Sequence, residues 1–354
     1  MSRFVQLHLL TSYPPANLNR DDLGRPKTAM MGGEPRLRVS SQSLKRAWRT
    51  SPVFEESLKG HVGTRTKTMG VEVFKALKDK GISKKDATDW TKAIAEQFGK
   101  LKKVHKANEM QEFEIEQLAH FSPEEQQAIQ ALIEVLAERK TKPEDNELAL
   151  LRQHHTAADI ALFGRMLASK PLYNTEAAAQ VAHAISVHSV VVEDDFFTAV
   201  DDLNKGEDDS GAAHLGETEF AAGLFYLYLC IDKQLLIDNL SGDETLANKT
   251  LAALIESAAT VSPNGKQNSF ASRARTSYLL CETGKQQPRS LSVAFLKPIT
   301  KGDMLASAKQ RLENTKNNMA QVYGACSDQE ACFYFNSDQA EGSLQAVIQC
   351  AMEA

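Results

Sequence analysis

RDDLGRPKTAMMGGEPRLRVSSQSLKRAWR, residues 20–49, reads as a loop, a short strand over 36–39 and then a helix, the first strand–helix unit of the chain. Its eight basic residues (Arg20, Arg25, Lys27, Arg36, Arg38, Lys45, Arg46, Arg49) face three acids (Asp21, Asp22, Glu34), a balance of +5 inside a chain whose net charge is −5. Positive charge gathered into one stretch of an acidic protein points to a local anionic partner. Ser40 or Ser41 can cap the helix. At about 100° per residue, Ser41, Gln42, Lys45, Arg46 and Arg49 fall within an arc of roughly 140°. Leu44 and Ala47 point the other way, with Trp48 at the boundary. One face can be buried while the other presents cations, a hydroxyl and an amide, which suit phosphate and sugar oxygens. Taken alone, the same pattern also fits a solvated helix face. Gly32-Gly33 lacks a GxxxxGK or GxGxxG context, so it reads as a flexible turn and not as a nucleotide-binding loop.

With 354 residues and 42% hydrophobic content, the chain can bury a large core and is expected to form more than one domain. Its acidity (pI near 6.0) excludes indiscriminate coating of nucleic acid and confines any such binding to a patch. Five cysteines, an odd number without CxxC spacing, read as reduced thiols and form neither a disulfide framework nor a zinc site. Residues 1–12 lack the pattern of a signal peptide, and the longest apolar run, 223–231, is of strand length. A cytoplasmic protein without a membrane partner is expected.

Residues 4–11 (FVQLHLLT) predict a central strand ending at Ser12-Tyr13-Pro14-Pro15. From about 52 to 156 the periodicity is helical, with Ser122-Pro123-Glu124-Glu125 as a helix start and 101–106 (LKKVHK) as a solvated face. Residues 157–166 form an apolar helix-like segment ending near Gly164, where Met166 reads as core filler. Residues 181–192 predict a buried strand, with His183 and His188 on opposite faces, a poor geometry for a metal. Between it and the strand at 223 lies a long connection. Its eight acids before position 210 (Glu193, Asp194, Asp195, Asp201, Asp202, Glu207, Asp208, Asp209) against Lys205 give −7. Phe196-Phe197-Thr198 and His214-Leu215-Gly216 supply apolar anchors, so an ordered arm is expected. A helix at 244–260, a loop at 263–268, strands near 276–281 and 290–295 and a helix at 303–322 follow. The tail after Gly324 is weakly patterned.

Alternating strands and helices with a long helical insertion after the first unit predict an α+β fold of the ferredoxin or RNA-recognition type. The aromatic signature of an ordinary RNA-recognition motif is absent from the first strand. For an enzyme, Asp21, Asp22 and His8 are the best candidates, because paired acids can hold Mg²⁺ for phosphodiester cleavage. Acids beside Arg20 equally serve to position it. A Mg-dependent nuclease and a monomeric RNA-recognition protein therefore stand as alternatives.

NLNRDD at 17–22, GGEPRLRVSSQSLKRAWR at 32–49, DIALFGRM at 159–166, AHAISVH at 182–188, FTAVDDL at 197–203 and HLGETEFAAGLFY at 214–226 resemble the CasC family. CasC is the backbone subunit of the type I-E CRISPR complex Cascade. The resemblance covers 1–50 and 157–232 well, 265–271 more weakly and 50–156 hardly at all. It implies a palm of the RNA-recognition type (1–53, 181–192, 223–354), a helical finger domain (54–180) and a β-hairpin thumb (193–222). Arg20, Lys27, Ser40, Gln42, Lys45, Arg46 and Arg49 would hold the backbone of a crRNA, and Lys266 would join them. Arg165 and Met166 would contact it from the finger, and Phe197, Thr198 and Leu215 from the thumb. The resemblance thus turns Met166 from core filler into a contact. Phe196 stands where the family is expected to carry a tryptophan. Implied partners are crRNA, target DNA through guide pairing, further copies of the chain, and the large, small, 5′-end-cap and crRNA-processing endonuclease subunits. No cofactor is implied. The acids of the thumb, Asp201 and Asp202 among them, are expected to face solvent or a basic surface of the adjacent copy.

Overall fold

The computed structural model describes residues 2–103, 109–199 and 214–354. The chain divides into two compact units, one of residues 1–54, 181–231 and 251–354, the other of 55–180 and 232–250. The class is α+β.

The first unit is built on a sheet whose order runs Ala340–Glu341, Gln329–Phe335, Thr276–Gly284, Phe4–Ala16, His214–Asp232, Ala184–Ser186, Glu34–Val39, Thr28–Met31. The opening strand is central, and its residues 5–10 are buried on both faces. It pairs antiparallel with Thr276–Gly284 from Phe4↔Gly284 to Thr11↔Thr276. The strand runs past the expected stop to Ala16. Pro14 and Pro15 are exposed and lie beyond that register, where a missing N–H costs no ladder bond to Thr276–Gly284. Gly32 and Gly33, with φ of 63° and 81°, close a tight two-residue hairpin between Met31 and Glu34 instead of a flexible turn.

Three expectations for this unit are corrected. The segment 181–192 is not one strand: Val181 ends the short strand Ala179–Val181, and Ala184–Ser186 forms another. Beyond it the backbone is diverted: the Val187 carbonyl accepts from Ile299 N–H at 3.0 Å and Val190 N–H donates to the Pro35 carbonyl at 2.9 Å. Residues 290–295 hold no strand but a 3₁₀ turn, Ser292–Phe295. There the buried residues are Leu291 and Phe295, one helical turn apart, and Leu291 N–H donates to the Tyr226 hydroxyl at 3.0 Å. The weakly patterned tail forms two strands and the helix Leu344–Met352, capped by Ser343.

A buried polar network ties the strand Thr276–Gly284 to its neighbours. Arg289 grips both carboxylate oxygens of Glu282, at 2.7 and 2.8 Å, while His8 Nε2 approaches Glu282 Oε2 at 3.1 Å and His8 Nδ1 meets the Tyr226 hydroxyl at 2.9 Å. Burial lowers the His8 pKa, so the neutral ring donates from Nε2 and accepts at Nδ1. Burial alone would raise the Glu282 pKa, but the hydrogen bonds from His8 and Arg289 prevail and hold it at about 2. Because the folded pKa is depressed below the ordinary value of 4.5, this stabilisation is complete above pH 4.5 and is lost as pH falls toward 2. Denaturant titrations of wild type and Glu282→Gln should show the variant weaker at neutral pH and the gap closing between pH 4.5 and 2. A gap independent of pH would contradict the assignment.

The second unit carries the helices Met69–Asp79, Lys84–Ala95, Pro123–Arg139 and Ala158–Phe163, with a two-stranded ladder of Thr64–Thr66 and Ala119–Phe121. Its core includes Leu77, Trp90, Ile94, Ile129, Ile133 and Leu136, and Phe74 stacks on Phe113 with centroids 4.4 Å apart. Ser122 begins its helix with the expected start, a reciprocal capping box with Glu125. Gly164 ends the helix Ala158–Phe163 with φ at 79°. Residues 232–250 belong here: Asp232 N–H donates to the Ala178 carbonyl, and Asn239 Nδ2 to the carbonyls of Ala161 and Glu176. In the basic segment 101–106, Lys102 pairs with Glu114 at 3.2 Å, and residues 104–106 lie outside the described residues. Among the described residues, no helix is long and apolar enough to cross a membrane.

Candidate nucleic-acid interface

The basic helix spans Ser41–Arg49, and Ser40 is its cap, with its hydroxyl accepting from Ser43 N–H at 3.4 Å. Leu44, Ala47 and Trp48 are buried, so Trp48 belongs to the inner face and not to the boundary. Gln42 and Arg46 are exposed, and Ser41, Lys45 and Arg49 are half-buried. Burial lowers the Lys45 pKa, in keeping with an aliphatic stem laid along the protein. Arg46 and Arg49 sit in the last turn, where the helix dipole favours cations.

Asparagine side chains fasten the loop before this helix. Asn19 Oδ1 accepts from Ser40 N–H, and Asn17 Nδ2 donates to the carbonyls of Gly24 and Glu219, each at 2.9 Å. Asp21 Oδ1 accepts from the N–H groups of Leu23 and Arg25 at 2.9 Å, and Arg25 pairs with Glu219 at 2.9 Å. Asp21 therefore organises the turn that presents Arg20, as an Asx-type side chain does. His8, the third candidate of the nuclease reading, is fully buried in the network around Glu282, out of reach of any substrate.

A third segment completes the site. A Cβ at Gly265 would overlap the carbonyl oxygens of Asn17 and Leu18, so only glycine permits this approach of two backbones. Lys266 Nζ is hydrogen-bonded to the Thr218 hydroxyl, and Gln267 Nε2 donates to the Pro263 carbonyl at 2.7 Å. Between the loop, the helix and this segment opens a cleft of about 520 Å³, lined by Arg20, Asp22, Ser43, Arg46, Asn264 and Gly265 among others. Two arginines, Arg20 and Arg46, are among the residues that line it. Asn19, Ser43, Asn264 and Gly265 were not singled out from the sequence as site residues. Asn19, Ser43 and Gly265 lie in segments that carry the family resemblance, whereas Asn264 leaves no pattern of its own.

Several basic and polar residues turn out to be structural. Arg36 is fully buried, its guanidinium donating to the carbonyls of Ser186, Phe295 and Leu296 at 3.0–3.3 Å. Ser40 is buried and its hydroxyl is engaged in the cap. Arg165, expected to contact RNA, is buried in the helical unit, with Nη1 at 2.8 and 2.9 Å from the Glu125 carboxylate oxygens. It is an internal ion pair and cannot reach a ligand. Its neighbour Met166 is 77% exposed, on the rim of a cleft of about 200 Å³ with Phe98, Lys100, Gln117 and Leu118.

The arm is a β-hairpin, with Glu193–Ala199 antiparallel to the first part of His214–Asp232. Phe197 pairs with Gly216, where its ring fills the space a Cβ would need, and Thr198 pairs with Leu215. Phe196, Phe197 and Thr198 are exposed. The Leu215 side chain, together with Asp201 and Asp202, falls outside what is described.

The sequence profile of the CT1975-like protein family matches residues 5–352. A chain of a solved structure described as "CRISPR RNA-guided surveillance complex, pre-nicking" is 30% identical, with a TM-score of 0.82 over 99% of both chains. A second, from a "CRISPR RNA-guided surveillance complex", shares the fold at 24% identity, with a TM-score of 0.74 over 99% of both chains. No curated protein matches the sequence significantly.

Proposed function

Because the chain belongs to the CT1975-like protein family, we propose that it is the non-catalytic, crRNA-binding backbone subunit of a type I-E CRISPR Cascade complex. The observation that carries this reading is the cleft, in which Arg20 and Arg46 face one polar groove beside an outward helix surface of Gln42, Lys45 and Arg49. Cations and donors of this kind hold phosphates and sugars without reading bases, as a guide that differs from one spacer to the next requires. Lys27, Lys266, Met166, Phe197, Thr198 and Leu215 join the RNA contacts. The exposed aromatics of the hairpin suit a cover over the RNA of an adjacent copy. Copies add head to tail, an arrangement that grows as a helical filament when it does not close into a ring. The remaining partners are the target DNA, paired with the guide, and the other subunits of the complex, in the cytoplasm.

Against a metal-dependent nuclease stand the turn bonds of Asp21 and the burial of His8. Purification after co-expression with a CRISPR array tests the proposal. Small RNAs of uniform length, retained by particles holding several copies of the chain, are expected. Recovery of single chains free of RNA would refute it, and cleavage of labelled RNA with Mg²⁺, abolished by Asp21→Ala, would establish the nuclease instead.

A further inference from the structure

The sheet edge beside the basic helix carries a second group of donors. Arg38 lies between two neighbours: its N–H donates to the Lys27 carbonyl at 2.8 Å, and on the other side Arg38↔Ile185 and Val39↔Ala184 pair in register. Diagonal neighbours across a ladder reach one another when their side chains are long. Here Arg38 Nη1 donates to His183 Nδ1 at 2.9 Å. We propose that Lys27, Arg38 and His183 form one phosphodiester-binding row that continues the RNA track from the basic helix across the sheet edge.

Four observations support the row. Among the described residues, neither Lys27 nor Arg38 is ion-paired with a carboxylate, in a chain that carries five more acids than bases. Burial, then the charges of Arg38 and Lys27, lower the His183 pKa. The ring is therefore neutral, accepts at Nδ1 and keeps Nε2–H as a donor. Lys27 and Arg38 are half-buried and His183 is exposed, so the donors of the row are accessible to a ligand, with the His183 ring held by its bond to Arg38. Lastly, the row is continuous with the site. Lys27 N–H donates to the Asn19 carbonyl at 2.8 Å, and the same asparagine's side chain holds Ser40 N–H at the start of the basic helix. A run of donors without acceptors, leading into a further cationic face, fits a continuous polyanion better than a mixed-charge protein surface.

The inference rests on the RNA-binding reading, and the test separates the two. Affinity for an unstructured oligouridine is measured against salt for wild type, Arg38→Gln and Arg38→Lys, with melting temperatures alongside. Arg38→Gln should reduce the log–log salt slope by about 0.7 and weaken binding about four-fold at 0.15 M salt, whereas Arg38→Lys keeps the slope. An unchanged slope in Arg38→Gln, with slope loss still seen on removing Lys45, Arg46 and Arg49, would overturn the row and leave the helix site standing. Equal losses in both Arg38 variants together with lowered melting would reduce the Arg38–His183 bond to a structural one. Arg38→Gln that binds RNA normally but no longer forms oligomers would reassign the row to an acidic stretch of another copy. A wild-type chain that fails to bind the RNA would take down both readings.

Discussion

Replacing Lys45, Arg46 and Arg49 together by alanine should lower the salt slope of single-stranded RNA binding by about 2, at roughly 0.7 per lost phosphate contact. At 0.15 M salt the same loss corresponds to about fifty-fold weaker binding. The fold should survive. Leu44, Ala47 and Trp48 form the buried face of Ser41–Arg49 and are untouched, the cap at Ser40 stays, and alanine is the best helix former. Circular dichroism and melting temperature close to wild type would therefore accompany the lost affinity. If the slope stayed the same, the RNA would lie elsewhere and the proposed function would lose its main support.

A second large effect is expected within the helical unit, from two consecutive residues. Arg165→Ala leaves the Glu125 carboxylate buried without its cation. It also orphans the carbonyls of His120, Arg152 and Tyr173, which now accept from the guanidinium at 3.0–3.2 Å. Glu125 cannot turn to solvent, because its oxygens also accept from Ser122 N–H and Arg152 N–H at 2.9 Å. Removing one partner of such a buried pair costs about 3–5 kcal/mol. For a unit of this size that is a fall of roughly ten degrees in melting temperature. Met166→Ala, one position on but exposed, should stay within about 0.5 kcal/mol of wild type. A stable Arg165→Ala that binds RNA poorly would restore the arginine as a ligand contact.

The stretch 20–49 was legible because its signals are local. A capping serine, a buried stripe of Leu44 and Ala47 and an outward run of cations follow from helical periodicity alone. The same holds for the Ser122 capping box and for the helices Glu244–Thr260 and Met304–Tyr323, which match expectation to within a residue or so. Short apolar runs were less secure. Leu291 and Phe295 fit either a strand or a turn of helix until the Tyr226 hydroxyl fixes the backbone. The strands after Gly324 escaped because little of their surface is buried in a regular alternation.

Sequence alone determined the α+β class, the concentration of charge near the amino end and the face of the helix that meets solvent, since period and composition are properties of neighbours along the chain. Tertiary structure decided which charges are available. Arg36 and Arg165 resemble Arg20 and Arg46 in the sequence, yet the first two are enclosed by carbonyls or a carboxylate and the others open on a cleft. A guanidinium can be buried only where acceptors from distant segments converge on it. Ser186, Phe295 and Glu125 supply those acceptors, and no local pattern places them there.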